Sequence, residues 1–212
     1  MSTLFSNKKI IFLFFLVSLS FYKSPYIFIN GRFIAEEGSF FFRNTYLFGY
    51  FEGLTVLLKG SGYFNFWANL ASVFANLVPI EFAPLITVYF AFSVKILLLL
   101  YTLFQKSNFL ENNNQRYIAS FLVIVAPTMV AEIWLNTLTS QVYFTIISTV
   151  ILFQINNKNL LTKLSPIVLF FSTLSSIQSC LLAPFFLIKY LQQKDKINLY
   201  NLIVIFVGSL TQ

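Results

Sequence analysis

The stretch Arg32-Phe-Ile-Ala-Glu36-Glu37-Gly38-Ser39 sets two adjacent carboxylates close to a guanidinium. Such a group can do acid–base work, because partial desolvation raises a carboxyl pKa toward the range of a useful general base. Arg32 or Arg43 could then hold an anionic phosphate. A plainer reading of the same residues is a solvated loop, since a Glu-Glu pair is a weak motif. A second acid, Glu132, sits in Ala-Glu-Ile-Trp-Leu-Asn-Thr-Leu-Thr-Ser-Gln beside Trp134, Asn136 and Gln141. Aromatic and amide groups of that kind suit sugar rings, although Trp is also common at membrane interfaces without function. The chain has no histidine, and its one cysteine, Cys180, allows neither an internal disulfide nor a cysteine metal cluster. Acid–base chemistry therefore falls to carboxylates.

These residues are embedded in an unusually apolar chain, 58% hydrophobic and only 10% charged, with too little polar surface to coat a water-soluble globule. Apolar runs recur at 10–22, 83–104, 117–130, 142–155, 164–188 and 197–210. Several approach the roughly 20 residues that cross a bilayer core. They read as helices, since a β-barrel would alternate apolar and polar residues and Leu97 to Leu100 do not. The expected fold is all-α: a polytopic bundle of about 6–7 membrane helices forming a single domain over 1–212. The net charge of +7 is scattered singly between apolar runs, with no basic stripe for nucleic acid.

Lys8 and Lys9 before Ile10 to Tyr22 resemble a secretory signal, but no small-residue cleavage site follows, so the run reads as an uncleaved first helix. With the N-terminus cytoplasmic, the basic residues near 105–116, 156–163 and 189–196 also fall inside, as the positive-inside rule requires. Glu36, Glu37, Glu52, Glu81 and Glu132 fall outside. The charge pattern favours a short helical hairpin over 164–190, with its apex near Ser175 to Ser179, above a single long span. Residues 30–82 form the longest loop, external and rich in Phe, Tyr and Leu. Within it Asn65, Asn69, Ser72 and Asn76 recur at helical spacing opposite Phe66, Trp67, Leu70, Phe74 and Leu77, which predicts an amphipathic helix lying on the outer membrane surface. Lys95, near the middle of the second span, should face the bundle interior, to bind an anion or to act as a structural charge. Ser175, Ser176, Gln178 and Ser179 at the hairpin apex could touch a ligand or simply make a tight turn.

This layout resembles the C-type glycosyltransferases (GT-C), polytopic enzymes that take sugars from polyprenyl-phosphate donors on the outer side of the membrane. The matching features cover essentially the whole chain. They are a first span followed by an acid-bearing loop (Arg32, Glu36, Glu37), surface-lying helices in that loop, a second external acid (Glu132) and a short hairpin after the fourth span. The chain is also similar to a group of bacterial membrane proteins with an Ala-Glu-Glu-Gly motif after the first helix, here Ala35 to Gly38, and a Trp-Leu-Asn motif after the third, here Trp134 to Asn136.

The resemblance implies that Glu36 or Glu37 deprotonates an acceptor hydroxyl on a glycan or lipid, which attacks the anomeric carbon with inversion. Arg32, Arg43 or Lys59 would stabilise the departing phosphate, with Trp134, Asn136 and Gln141 lining the site. Glu132 would orient the acceptor or bind a divalent cation, for which carboxylates suit Mg2+ or Mn2+. It further implies a multi-pass protein of a bacterial inner membrane with its site on the outer face. Two features depart from the family: many members carry Asp at the first-loop position, and most are longer. The unflanked end at Gln212 reads as a truncation, which leaves an inactive fragment as one alternative. A non-enzymatic lipid or solute transporter component is another, and a membrane scaffold a third. Geometry separates them, because a first-loop acid brought to the Glu132 loop favours a transferase, whereas acids pointing separately into water favour a scaffold.

Overall fold

The computed structural model describes residues 7–57, 64–126, 134–156 and 159–212. Among them the chain is all-helical, with only isolated β-bridges and no strand, as the apolar runs predict. α1 (Asn7–Lys23) and α2 (Pro25–Asn30) are one apolar run broken at Ser24, because Pro25 has no N–H to continue the ladder but fits the first turn of the next helix. A π-helical turn (Glu37–Phe42) leads into α3 (Arg43–Phe48) and α4 (Tyr50–Thr55). Then come α5 (Phe66–Ala75), α6 (Ala83–Phe104), α7 (Asn113–Val125) and α8 (Ser140–Leu152). The chain ends in α9 (Leu160–Ser175), α10 (Ile177–Cys180), α11 (Ala183–Gln193) and α12 (Lys196–Ser209).

α6 is the hub, packing against α1, α2, α5, α7 and α8, while α9 joins α8, α5 and α12. Val94, Leu98 and Tyr101 of α6 meet Phe144, Ile147 and Ile151 of α8, then Leu169, Phe186 and Ile205, in the largest buried cluster. Gly208 of α12 lies so close to α9 that a Cβ there would come within 1.9 Å of Thr173 Oγ1. The two helices touch through small residues, which let their backbones approach closely.

Two of the last helices bury small polar residues and expose large apolar ones. α9 buries Thr162, Ser165, Ser172 and Thr173 and exposes Leu160, Leu164, Ile167 and Phe170. α12 likewise buries Asn198 and Asn201 and exposes Tyr200, Ile203, Phe206 and Val207. The expectation for α5 is overturned in the same sense. Asn65, Asn69 and Ser72 face inward, not toward water, and Phe74 and Leu77 face out. The reason is hydrogen bonding: Asn65 Oδ1 caps the helix at Ala68 N, and Asn69 Nδ2 donates to the carbonyls of Leu54 and Val56, each at 3.0 Å, where α4 ends.

Among the described residues α6 alone is long and apolar enough to cross a membrane by itself, and α5, α8, α9 and α12 are apolar but of 10–17 residues. The breaks have local causes. Ser24 and Pro25 interrupt the first run, and Ser176 to Leu182 turn the chain between α9 and α11. Within α9, Pro166 cannot donate to the Thr162 carbonyl, and Ser165 Oγ donates to it at 2.8 Å, which keeps the helix intact.

At one end of the bundle, cations close the open carbonyls of helix C-termini. Lys9 Nζ donates to Leu103 O of α6, and Lys189 Nζ to Ile151 O and Gln154 O at the end of α8. Beside them runs a buried amide network. Gln105 Nε2 donates to Gln154 Oε1 and Thr162 Oγ1, Asn159 Nδ2 to Gln105 Oε1, and Gln154 Nε2 to Ser165 Oγ. Gln105→Leu removes the donor to Gln154 Oε1 and the bonds to Asn159 and Thr162 in a buried interior. Thermal unfolding of the purified protein should show a loss of about 2–4 kcal/mol, against near-neutrality for Gln192→Leu on the exposed face of α11.

Candidate functional site: the Glu37 latch and the Trp134 cation cluster

Beyond α2 the chain turns at Gly31, where φ is +67° and a Cβ would stand 2.5 Å from Leu85 N, so only glycine lets the loop cross the start of α6. Three residues in extended or irregular backbone follow, and then Ala35 takes a left-handed φ of +49°. That conformation costs a non-glycine residue roughly 1–2 kcal/mol. It turns the two acids apart. Glu36 is left exposed, whereas Glu37, at the start of the π-helical turn, is 1% exposed.

The buried carboxylate reaches the other end of the second loop. Glu37 Oε1 accepts from Thr137 N at 2.7 Å and from Thr137 Oγ1 at 2.6 Å, and its Oε2 accepts from Ile34 N at 3.0 Å. Arg32 supplies a nearby positive charge and donates from a guanidinium nitrogen to Trp134 O at 2.8 Å. Two segments 100 residues apart are thus clasped by a carboxylate and a guanidinium. The second loop carries its own left-handed residue, Leu135 at φ +55°. Asn136 Oδ1 accepts from Leu138 N at 2.7 Å and so shapes the turn into α8.

Trp134 is buried in an apolar cluster with Phe28, Val88, Phe92 and Leu135. Two ammonium groups lie over its indole ring, Lys95 Nζ at 3.4 Å and Lys23 Nζ at 4.1 Å from the centroid. Lys23, on an exposed stem, also donates to Ile124 O at the end of α7. Lys95 is 1% exposed, and its Nζ has no hydrogen-bond partner among the described residues; the Tyr143 ring stands 5.3 Å away. Cation–π attraction stabilises an ammonium where water cannot reach it, but leaves its three N–H donors open.

The structure therefore gathers Arg32, Glu37, Trp134 and Asn136 and separates Glu36 and Arg43, both exposed, from that group. Gln141 is half-buried in the first turn of α8. Lys59 and Glu132 lie outside the described residues. Sequence reasoning did not connect Thr137, Lys23 or Tyr143 to the site, nor Lys95 to Trp134. The inward-facing Lys95 was the one signal, since a cation in an apolar helix needs a partner. A divalent cation does not fit the described residues. Both Glu37 oxygens already accept hydrogen bonds, the nearest charges are cations, and no three His, Cys, Asp or Glu side chains gather.

Burial pushes the Glu37 carboxyl above its ordinary value, and the Thr137 hydroxyl and amide, the Ile34 amide and Arg32 pull it back only in part. An acid whose folded pKa exceeds its unfolded one takes up a proton on folding. Its contribution is therefore most favourable below the unfolded pKa, and stability falls as pH rises from there through the folded pKa. Thermal unfolding across mildly acid to neutral pH should show that slope in the native chain and not in Glu37→Gln. Thr137→Val should extend the slope to higher pH and lower stability near neutrality by about 1.5–3 kcal/mol, the cost of one lost charge-assisted hydrogen bond. No known protein family matches this chain, and no curated protein or solved structure is similar to it.

Proposed function

We propose that this chain is a multi-pass membrane protein of the GT-C type, transferring a sugar from a polyprenyl-phosphate donor to an acceptor hydroxyl on the outer face of a bacterial inner membrane, with its N-terminus cytoplasmic. The observation that carries the reading is the Glu37–Thr137 clasp, which brings the acid-bearing first loop onto the second loop. The many large apolar side chains left exposed, and the polar residues of α9 and α12 turned inward, support a lipid surrounding.

The geometry divides the work of the two adjacent acids. Glu37 has both oxygens engaged and acts as a positioning residue. Glu36 is exposed, with its lone pairs open to an incoming hydroxyl, and is the base in this reading. The acceptor O–H proton passes to Glu36, the oxygen bonds to the anomeric carbon, and the bond from that carbon to the phosphate oxygen breaks. The polyprenyl phosphate leaves with the electron pair. Arg32, beside the site, stabilises the charge that develops there.

A second reading, a lipid-handling component without transferase activity, is favoured by the buried Lys95 ammonium, which has no hydrogen-bond partner among the described residues. Transfer of radiolabelled sugar from a panel of polyprenyl-phosphate sugars separates the two. Glu36→Gln should reduce turnover by 10²-fold or more, of the order expected for loss of a general base, with an unchanged melting temperature. Glu37→Gln should alter the pH dependence of stability together with activity. Absence of turnover from every donor with the native protein would sink the transferase reading.

A further inference from the structure

Trp134 gathers hydrogen-bond donors that nothing among the described residues accepts. Its own indole N–H is buried without a partner there, and so is the Lys95 ammonium. Lys95 Nζ stands 3.4 Å from the centroid of the ring that carries the other donor, so both nitrogens border one small volume. Lys23 Nζ lies 4.1 Å from the same centroid and donates to Ile124 O at 3.2 Å. The charged side chain that acts on Lys95 is thus another cation. Phe28, Val88, Phe92 and Leu135 pack around the indole and offer no side-chain acceptor. The Glu37 oxygens are engaged elsewhere, by Thr137 and Ile34.

We infer that Lys95 Nζ and Trp134 Nε1 together bind a monovalent anion of halide size, such as chloride. The donor inventory argues for an anion. An ammonium and an indole N–H are donors only, so this spot calls for an acceptor that brings no hydrogen of its own. A water would accept from two of the donors and add two hydrogens, for which the apolar cluster has no partner. Charge argues the same way. An ammonium taken out of water needs an opposite charge, the indole face offsets only part of the cost, and Lys23 adds repulsion. Size sets the class. Lys95 is 1% exposed and Trp134 3%, so the ligand lies within packed side chains, which suits a single atom better than a tetrahedral phosphate. One negative charge is also what one unpaired ammonium balances. An anion held there joins α6 to the second loop, at the residue whose carbonyl Arg32 also holds. The site stands apart from the sugar-transfer reading, and neither of the measurements below involves transfer.

The first test is thermal unfolding of the full chain in detergent, in sodium chloride, bromide, phosphate or gluconate at matched ionic strength. The native protein should melt higher in chloride and bromide than in gluconate or phosphate, with a gain that follows a binding isotherm for one site. Lys95→Met should abolish the difference between the salts. A second readout needs no comparison of stabilities. Trp67→Phe leaves Trp134 as the one tryptophan of the chain. Bromide or iodide held against its ring should quench its emission along a saturating curve, with chloride competing, whereas collisional quenching of so buried an indole stays weak and linear. Adding Lys95→Met should remove the saturating part. Equal melting in halide and gluconate, a halide effect unchanged by Lys95→Met, or quenching of Trp134 that never saturates would each overturn the inference, and the first would leave a water at the spot. Phosphate acting as strongly as chloride would overturn the size class. A halide response absent from the native chain and present in Glu132→Gln would overturn it too, because a carboxylate of the chain would then serve Lys95.

Discussion

A carboxylate withdrawn from water must be given donors where it lies, and Glu37 receives three, two of them from a residue 100 positions away. That requirement organises the end of the bundle where the two loops meet. To deliver Glu37 the chain accepts a left-handed alanine at Ala35, a glycine-only crossing at Gly31 and a widened π-helical turn. To receive it the second loop accepts a left-handed Leu135 and an amide-capped turn at Asn136. Each irregularity is unfavourable alone. They cluster within a few residues of one hydrogen-bonded carboxylate, where the surrounding contacts hold them in place.

Lys95 presents the opposite case, a buried charge whose environment is incomplete. Its ammonium rests on the Trp134 ring, and Arg32 holds the backbone of the same residue, so Trp134 links the carboxylate side of the site to the cationic side. Cation–π contact alone gives about 2 kcal/mol when desolvated. Removing an ammonium from water costs several. The ring of one tryptophan therefore offsets only part of what it costs to bury this ammonium.

Helices were legible from the apolar runs, and so was the inward direction of Lys95, because a charge in an apolar segment has few places to go. The facing of α5 was not. An Asn-Asn-Ser-Asn stripe at helical spacing looks the same whether it meets water or the bare carbonyls of Leu54 and Val56, and only the position of α4 decides between them. Nor could spacing tell Glu36 from Glu37. Two neighbouring acids are equivalent in sequence until the backbone angle at Ala35 sends one inward. Thr137 carried no signal, as one threonine in a Thr-Leu-Thr run, and the pairing of Lys95 with Trp134 leaves no periodic trace.

The short helices also have a physical account within the membrane reading. At 1.5 Å per residue, α8 covers about 20 Å against a hydrocarbon core of about 30 Å. Its ends are not left bare. The Asn136 carbonyl accepts from Ser140 Oγ at one end, and Lys189 closes carbonyls at the other. Polar groups buried among neighbouring helices can sit at membrane depth because their partners are internal. The Gln105, Gln154, Asn159 and Thr162 network does for the inner end of the bundle what Glu37 and Thr137 do for the outer end. What limits a segment's depth is then whether every N–H and C=O finds a partner, and not the count of apolar residues in an unbroken helix.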